Sequence, residues 1–402
     1  MRELRQNWLD IFSAFRIAID PKKMMLGFVG GLVSLAVVFG LLYLFRSVFP
    51  NGLMVLSGFV LDPIHSISAI NQHAVTTLAS GAGIAREEGL LPMAMRHLAP
   101  GLIGAKEIGF MMVAGVLMLL IWSYFGGTIL RSSAVEFSKD DRIDLREASG
   151  FARKKYSSFF WAPVVPCLGI AFLLLCIYLG GLVGRIPAIG PVVDGLFFFL
   201  ALLAGFLIIL IALGTLFGAA LMGPTIATEG TDAFDAISRS FAYVFGRPWR
   251  YIWYYLAGAA YAVVCTAFVA AFAYGLIAVA LGAGRAGMGE GFRPIETFLT
   301  TNQRDPNASI VQNFCAVLMK AGIIATWGLV IGFAISMKAT LCTIIYCLLR
   351  KDVDGTDMTE VFIEEEEEEG LIPQEGKPAE GESAGPPSAE PQAPSAGEGT
   401  GI

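Results

Sequence analysis

Residues 195–222 read GLFFFLALLAGFLIILIALGTLFGAALM, without one charged side chain. As a helix this run is about 42 Å long, more than the ~30 Å hydrocarbon core of a bilayer. Lipid offers the backbone no hydrogen-bond partner, so a run of this length reads as a membrane-spanning helix. Working outward, five further runs qualify, at about 24–45, 107–130, 158–183, 251–283 and 320–349, and the quoted stretch belongs to a sixth at 192–222. The last four are longer than one crossing needs, so they tilt or protrude. The chain of 402 residues is 55% hydrophobic and only 15% charged, against about 25% charged in soluble proteins. Its mean hydropathy is +0.65. An all-α integral membrane protein is predicted. The first run is too long for the core of a cleaved signal peptide and reads as an anchor.

The net charge of −6 conceals a split. Residues 352–402 hold fifteen Asp/Glu and one Lys, a charge of −14, which leaves +8 on residues 1–351. The segment includes six consecutive acids, Glu364, Glu365, Glu366, Glu367, Glu368 and Glu369, and is otherwise rich in Pro, Ala, Gly and Ser. It is expected to be a disordered acidic tail, unable to bury enough apolar area to offset its ordering entropy. Lys and Arg concentrate in 1–23, 131–157, 223–250 and 350–402, with 18, against 9 in 46–106, 184–191 and 284–320. The positive-inside rule then places both termini in the cytoplasm, in the cell (inner) membrane.

Amphipathic stretches precede the outward-going helices. In 232–245, Phe234, Ile237, Phe241 and Val244 share a helical face. Leu4, Trp8, Ile11, Phe15 and Ala18 do so in 3–19, and Leu145, Ala148, Ala152 and Tyr156 in 142–156. The expected architecture is therefore three units, each an inner interfacial helix followed by a transmembrane hairpin. The domains are an N-terminal interfacial amphipathic helix at 1–23, a six-helix transmembrane body at 24–351 with an outer segment at 46–106, and the tail at 352–402. Ala134-Val135-Glu136 and Ala227-Thr228-Glu229 recur at matching places in a weak internal repeat.

Chemistry-bearing motifs are sparse. The sequence holds no P-loop, H-E-x-x-H or G-x-S-x-G, and its six Cys form no C-x-x-C pair. Gly282-Ala-Gly-Arg-Ala-Gly287 matches the dinucleotide fingerprint but follows a transmembrane helix rather than a strand, and reads as a loop. His65, His73 and His97 all fall in 46–106 without a ligand spacing. No catalytic, cofactor or metal site is expected. Lys338, inside the sixth run, is the sharpest single residue. Either it snorkels to the inner surface, or it is buried with Glu136 or Glu229 as partner in an intramembrane polar site. Arg239, Arg247, Trp249 and Arg250 are expected at lipid headgroups, since Trp settles there and Arg meets phosphate. Four G-x-x-x-G spacings, Gly27/Gly31, Gly180/Gly184, Gly214/Gly218 and Gly328/Gly332, suit close helix packing.

The stretch Ala227-Thr228-Glu229-Gly230, with Ala236, Arg239-Ser240 and Pro248-Trp249 after it, resembles the inner-loop pattern of a bacterial multi-pass membrane domain. That domain is often attached to glycerophosphoryl diester phosphodiesterases and also occurs alone. The resemblance covers 217–260 closely and 110–350 loosely. It implies a membrane domain only, because the chain has no soluble stretch long enough for a barrel catalytic domain of about 250 residues.

Together these features predict a non-enzymatic protein that organises membrane or scaffolds partners. Membrane lipids are one partner, a basic cytoplasmic protein meeting Glu364–Glu369 another, and nucleic acid is not expected. The alternative is a small-molecule or lipid transporter, which repeated hairpins and a buried Lys338 would suit.

Overall fold

The structure, a computed structural model, describes residues 7–47, 105–187, 190–301, 305–306 and 308–362. Ten α-helices occur among them, with no strand. They are α1 (Ala14–Ala18), α2 (Pro21–Leu44), α3 (Ala105–Lys139), α4 (Leu145–Lys154), α5 (Tyr156–Val183), α6 (Gly190–Glu229), α7 (Ala233–Gly246), α8 (Pro248–Met288), α9 (Arg293–Thr301) and α10 (Ile310–Asp354). Six of these, α2, α3, α5, α6, α8 and α10, contain stretches long and apolar enough to cross a membrane. Among the described residues the protein is thus all-helical, and its six long apolar helices fit a multi-pass membrane protein. Most of segment 46–106, with its three histidines, and Glu364–Glu369 lie outside the described residues.

The spanning helices run further than their apolar windows. From Lys320 to Lys338, α10 covers about 27 Å, close to one hydrocarbon core, and it then continues about 24 Å more to Asp354. That extension carries the main core. Every residue from Thr340 to Arg350 is buried, so α10 is enclosed on all sides there. Around it stand α1 and parts of α2, α3, α6, α7 and α8. Ile11, Ile17, Phe333, Met337, Tyr346 and Leu349 are among the residues of this cluster. By contrast, the apolar window of α6 contributes no buried residue, and Phe197, Phe199 and Leu216 stand open to lipid. We call the packed end, where α2 begins and α10 finishes, the charged end.

Three of the glycine spacings have definite structural work. A Cβ added at Gly332 would lie 2.3 Å from the Met24 carbonyl oxygen, and one at Gly27 would lie 2.8 Å from the Gly332 oxygen. Helices α2 and α10 therefore touch backbone to backbone. Phe28 packs over Gly328 in the same crossing. Gly214/Gly218 instead forms a seat for the Phe241 ring of α7. Small residues serve helix approach in one place and an aromatic knob in the other.

The N-terminal segment differs from the single amphipathic helix predicted for 1–23. A 3₁₀ turn, Trp8–Ser13, capped by Asn7, leads into the short α1, and Asp20 then caps α2 with Pro21 in its first turn. Ile11, Ala14, Ile17 and Ala18 are buried, while Trp8 and Phe12 are half exposed. The Ser336 hydroxyl donates to the Ala18 carbonyl at 2.9 Å, which inserts the segment into the bundle. Burial against α10 also takes in Ala14 and Ile17; of the predicted stripe, Ile11 and Ala18 are buried, Phe15 is partly buried against the core, Trp8 is exposed and Leu4 lies outside the described residues.

Helices α4 and α7 form where the amphipathic stretches lie, each capped by an aspartate. The Asp144 side chain accepts from Leu145 N–H, and that of Asp232 from Asp235 N–H. Both use the same rule, that a short acceptor satisfies an N-terminal amide which the helix leaves free. Of the four residues of the predicted α7 face, Val244 is buried, Ile237 and Phe241 pack partly buried against the core, and Phe234 is exposed. Ala233, Ala236, Ser240 and Tyr243 are buried beside them, and the small ones among these allow α7 to approach α6 closely.

Gly332→Leu is expected to push α2 off α10 and destabilise by about 1–3 kcal/mol, the usual cost of overpacking. Gly40→Leu, at a glycine with nothing within 4 Å, should melt like the wild type. Thermal denaturation of both variants in detergent distinguishes the two outcomes.

Candidate functional site at the charged end

Glu136 and Glu229 finish α3 and α6 at corresponding places. Each gathers cations from elsewhere in the chain. Glu136 accepts from Lys23 Nζ at 2.6 Å, with both side chains almost fully buried, and from Arg142 at 3.3 Å. Lys23 also donates to the Ile17 carbonyl at 3.1 Å. Glu229 accepts from Arg239 at 2.7 Å, from Arg350 at 3.5 Å and from the Tyr346 hydroxyl at 2.5 Å. Such burial is tolerable because every carboxylate meets several donors.

Lys338 joins neither group. It is exposed on α10, and both carboxylates are already held by other cations. The predicted Lys338–Glu136/Glu229 polar site is therefore not formed. Lys23 and Arg350 take the two roles, although both look in the sequence like ordinary flanking cations. Among the predicted headgroup residues, Arg239 is engaged with Glu229 and Asp235, and Arg250 with Asp352 at 2.6 Å. Trp249 is 82% exposed and Arg247 is exposed too.

The tail does not begin at 352. Helix α10 runs on to Asp354, turns at Gly355 (φ +72°), and residues 355–362 fold back as a strap. Two buried arginines hold it by its carbonyls. Arg350 Nη2 donates to Asp357 O at 3.1 Å and Glu360 O at 2.6 Å. Arg131 Nη2 donates to Phe362 O at 2.6 Å, and its Nη1 to Ala227 O at 2.9 Å. The Phe362 N–H donates to Thr228 O at 2.8 Å. Met358 is fully buried. The Phe362 ring lies over Gly230 (φ +66°), where a Cβ would come within 2.6 Å. Backbone recognition explains why composition missed this docking, since the arginines read peptide carbonyls and not strap side chains.

Tyrosines complete the network. The Tyr243 hydroxyl donates to Asp354, and that of Tyr254 to Asp352 at 2.8 Å. Burial, and then the neighbouring Asp354 carboxylate, push the Tyr243 phenol above its ordinary pKa, so it remains a donor at neutral pH. Tyr243 also packs beside Tyr346, ring centroids 5.7 Å apart. The strap and the ends of α3, α6, α7 and α10 border a largely open hollow of about 620 Å³. Lys139, Thr228, Glu229, Arg239 and Arg350 line it. Among the described residues no group of three His, Cys, Asp or Glu side chains gathers as a metal ion would need.

Arg131→Met removes one strap clamp and leaves the chain's charge run intact. Faster hydrogen exchange should follow at residues 357–362, above all at the Phe362 amide, while the amides of 340–348 stay protected. Glu136→Gln should cost about 3–5 kcal/mol in a thermal or denaturant melt, because it strands a buried Lys23. Comparison with known proteins yields no matching family model, no matching curated protein and no matching solved structure.

Proposed function

We propose that this chain is a non-enzymatic scaffold of the cell (inner) membrane, with its charged end and both termini in the cytoplasm. The observation that carries this is the strap. It ties the chain rigidly to the bundle as far as Phe362, and Glu364 follows two residues later. An acidic run that leaves from a fixed point is presented toward the cytoplasm for a basic partner protein. Lys and Arg asymmetry supports the orientation. Helices α4 and α7 then lie near the inner membrane face, and exposed Arg247 and Trp249 meet headgroups there.

The resemblance to the phosphodiesterase-associated membrane domain fits the same reading, because its pattern has a physical meaning here. Glu229 and Arg239 form an ion pair across the α6–α7 turn, Gly230 supplies the positive φ of that turn, and Ala236 and Ser240 are the small buried residues of α7. The pattern describes a packed turn and needs no substrate. The transporter alternative rested on repeated hairpins and a buried Lys338, and that side chain is exposed.

A photo-crosslinker placed at position 363 in cells should capture a basic protein. Replacing Glu364–Glu369 by Gln should abolish that capture without altering membrane insertion. An adduct pattern indifferent to neutralisation would defeat the scaffold reading. A reporter active only in the cytoplasm, fused after residue 402, tests the orientation separately.

A further inference from the structure

We propose that Lys338 and Tyr255 hold the phosphate of one anionic glycerophospholipid, at the place where α6, α8 and α10 converge on the lipid side of the charged end. Ile331, Ile335 and Lys338 share one face of α10, at i, i+4 and i+7. Ile331 is exposed and Ile335 half-buried, so this face meets lipid. One turn beyond Lys338, Cys342 is buried, and α10 is enclosed from Thr340 to Arg350. Lys338 is the last exposed residue before that enclosure, so its ammonium stands at the seam between lipid and packed protein. It forms no ion pair among the described residues. The group it faces, the Cys342 sulfur, is a thiol and offers no counter-charge. A cation beside hydrocarbon is costly unless its long stem carries it to an anion, and at such a seam the anion within reach is a headgroup phosphate.

Tyr255 supplies the second donor. Its hydroxyl shares a hydrogen bond with the same Cys342 sulfur, a weak acceptor beside a charged phosphate oxygen. Tyr251 packs against Tyr255 with ring centroids 5.5 Å apart and donates to the Phe217 carbonyl at 2.7 Å, which brings α6 to the same spot. Tyr255, Ala259 and Ala262 also follow i, i+4, i+7 spacing, on α8. Ala259 is exposed and Ala262 half-buried. Their short side chains leave room for an acyl chain running outward beside Ile335 and Ile331. A zwitterionic headgroup brings its own cation and gains less from Lys338, so the occupant is net anionic. This deepens the lipid contact of the proposed function and rests on that reading only for the leaflet, the inner one.

The test uses the full chain. In detergent it is titrated with phosphatidylglycerol or phosphatidylcholine, and retained lipid is counted by native mass spectrometry. The most tightly held lipid should favour phosphatidylglycerol by about fivefold, the ~1 kcal/mol of one lysine at an anionic surface. Lys338→Gln should remove that preference and Lys338→Arg keep it, while Tyr255→Phe weakens retention. A photoactivatable phosphatidylglycerol in nanodiscs gives the location, with adducts expected near Ile335 and Ala259 and lost in Lys338→Gln. Melting of Lys338→Gln in phosphatidylcholine nanodiscs should match the wild type, because the side chain holds no other element. Equal retention of the two lipids, a preference that survives Lys338→Gln, or adducts elsewhere on the bundle would overturn the site. These readouts do not involve capture of a protein by the acidic segment, so the lipid site and the scaffold reading can fail independently.

Discussion

The three turns of α10 from Thr340 to Arg350 are buried on every side, and the charged end is organised by that fact. A helix enclosed in this way cannot leave a polar side chain to water. Thr340 meets the Ser133 hydroxyl at 3.0 Å, Thr343 bonds back to the Ala339 carbonyl, Tyr346 reaches Glu229, and Arg350 reaches Glu229 and two strap carbonyls. Each of these contacts prescribes the position of another element. Ser133 positions α3, Glu229 positions α6, Arg239 draws in α7 through Glu229, and the strap is laid down by Arg350. Breaking one buried member would strand its partner in a low-dielectric surrounding, which makes the arrangement cooperative.

The outer halves of the same helices obey a different physics. Lipid is as apolar as leucine, so no hydrophobic force draws them together. Their large side chains are accordingly open, as at Phe199, Phe268 and Val279. Backbones meet nearer the charged end, at Gly27 against Gly332, and at the other end a small separate core gathers Phe292, Ile295 and Ala316. The protein is thus a loose apolar bundle joined to a dense polar end, and the six helices change their surroundings along their own length. This explains why α6, α8 and α10 are 40, 41 and 45 residues long. One part of each length crosses lipid and the rest builds the charged end.

Much of the fold was legible in the sequence. Long apolar runs located the six helices able to span a membrane, and α4 and α7 fall within the stretches picked out by amphipathic spacing. The site was less legible. Glu136 and Glu229 stood out through the internal repeat, but their partners did not. Lys23 looks identical to its neighbour Lys22, yet one side chain is 1% exposed and the other 56%. Arg350 and Lys351 present the same ambiguity. Period and composition report which residues dislike water, and they do not say which of two adjacent cations turns inward. The burial of Ala233, Ala236 and Ser240 on α7 was not legible for a related reason, because small residues that permit close approach carry little hydrophobic signal.

What the sequence alone determined was the class of molecule: helical, membrane-spanning, with a basic body and an acidic end segment. Those properties follow from sums over many residues, and such sums survive ignorance of who touches whom. Only the tertiary structure decided that Lys338 stands apart, that Lys23 and Arg350 serve the two glutamates, and that residues 355–362 are held by Arg131 and Arg350. The physical reason is that ion pairs and carbonyl contacts such as Lys23–Glu136 and Arg131–Phe362 join positions 113 and 231 residues apart. Their energy depends on distances of a few ångströms, which no local pattern in the chain encodes.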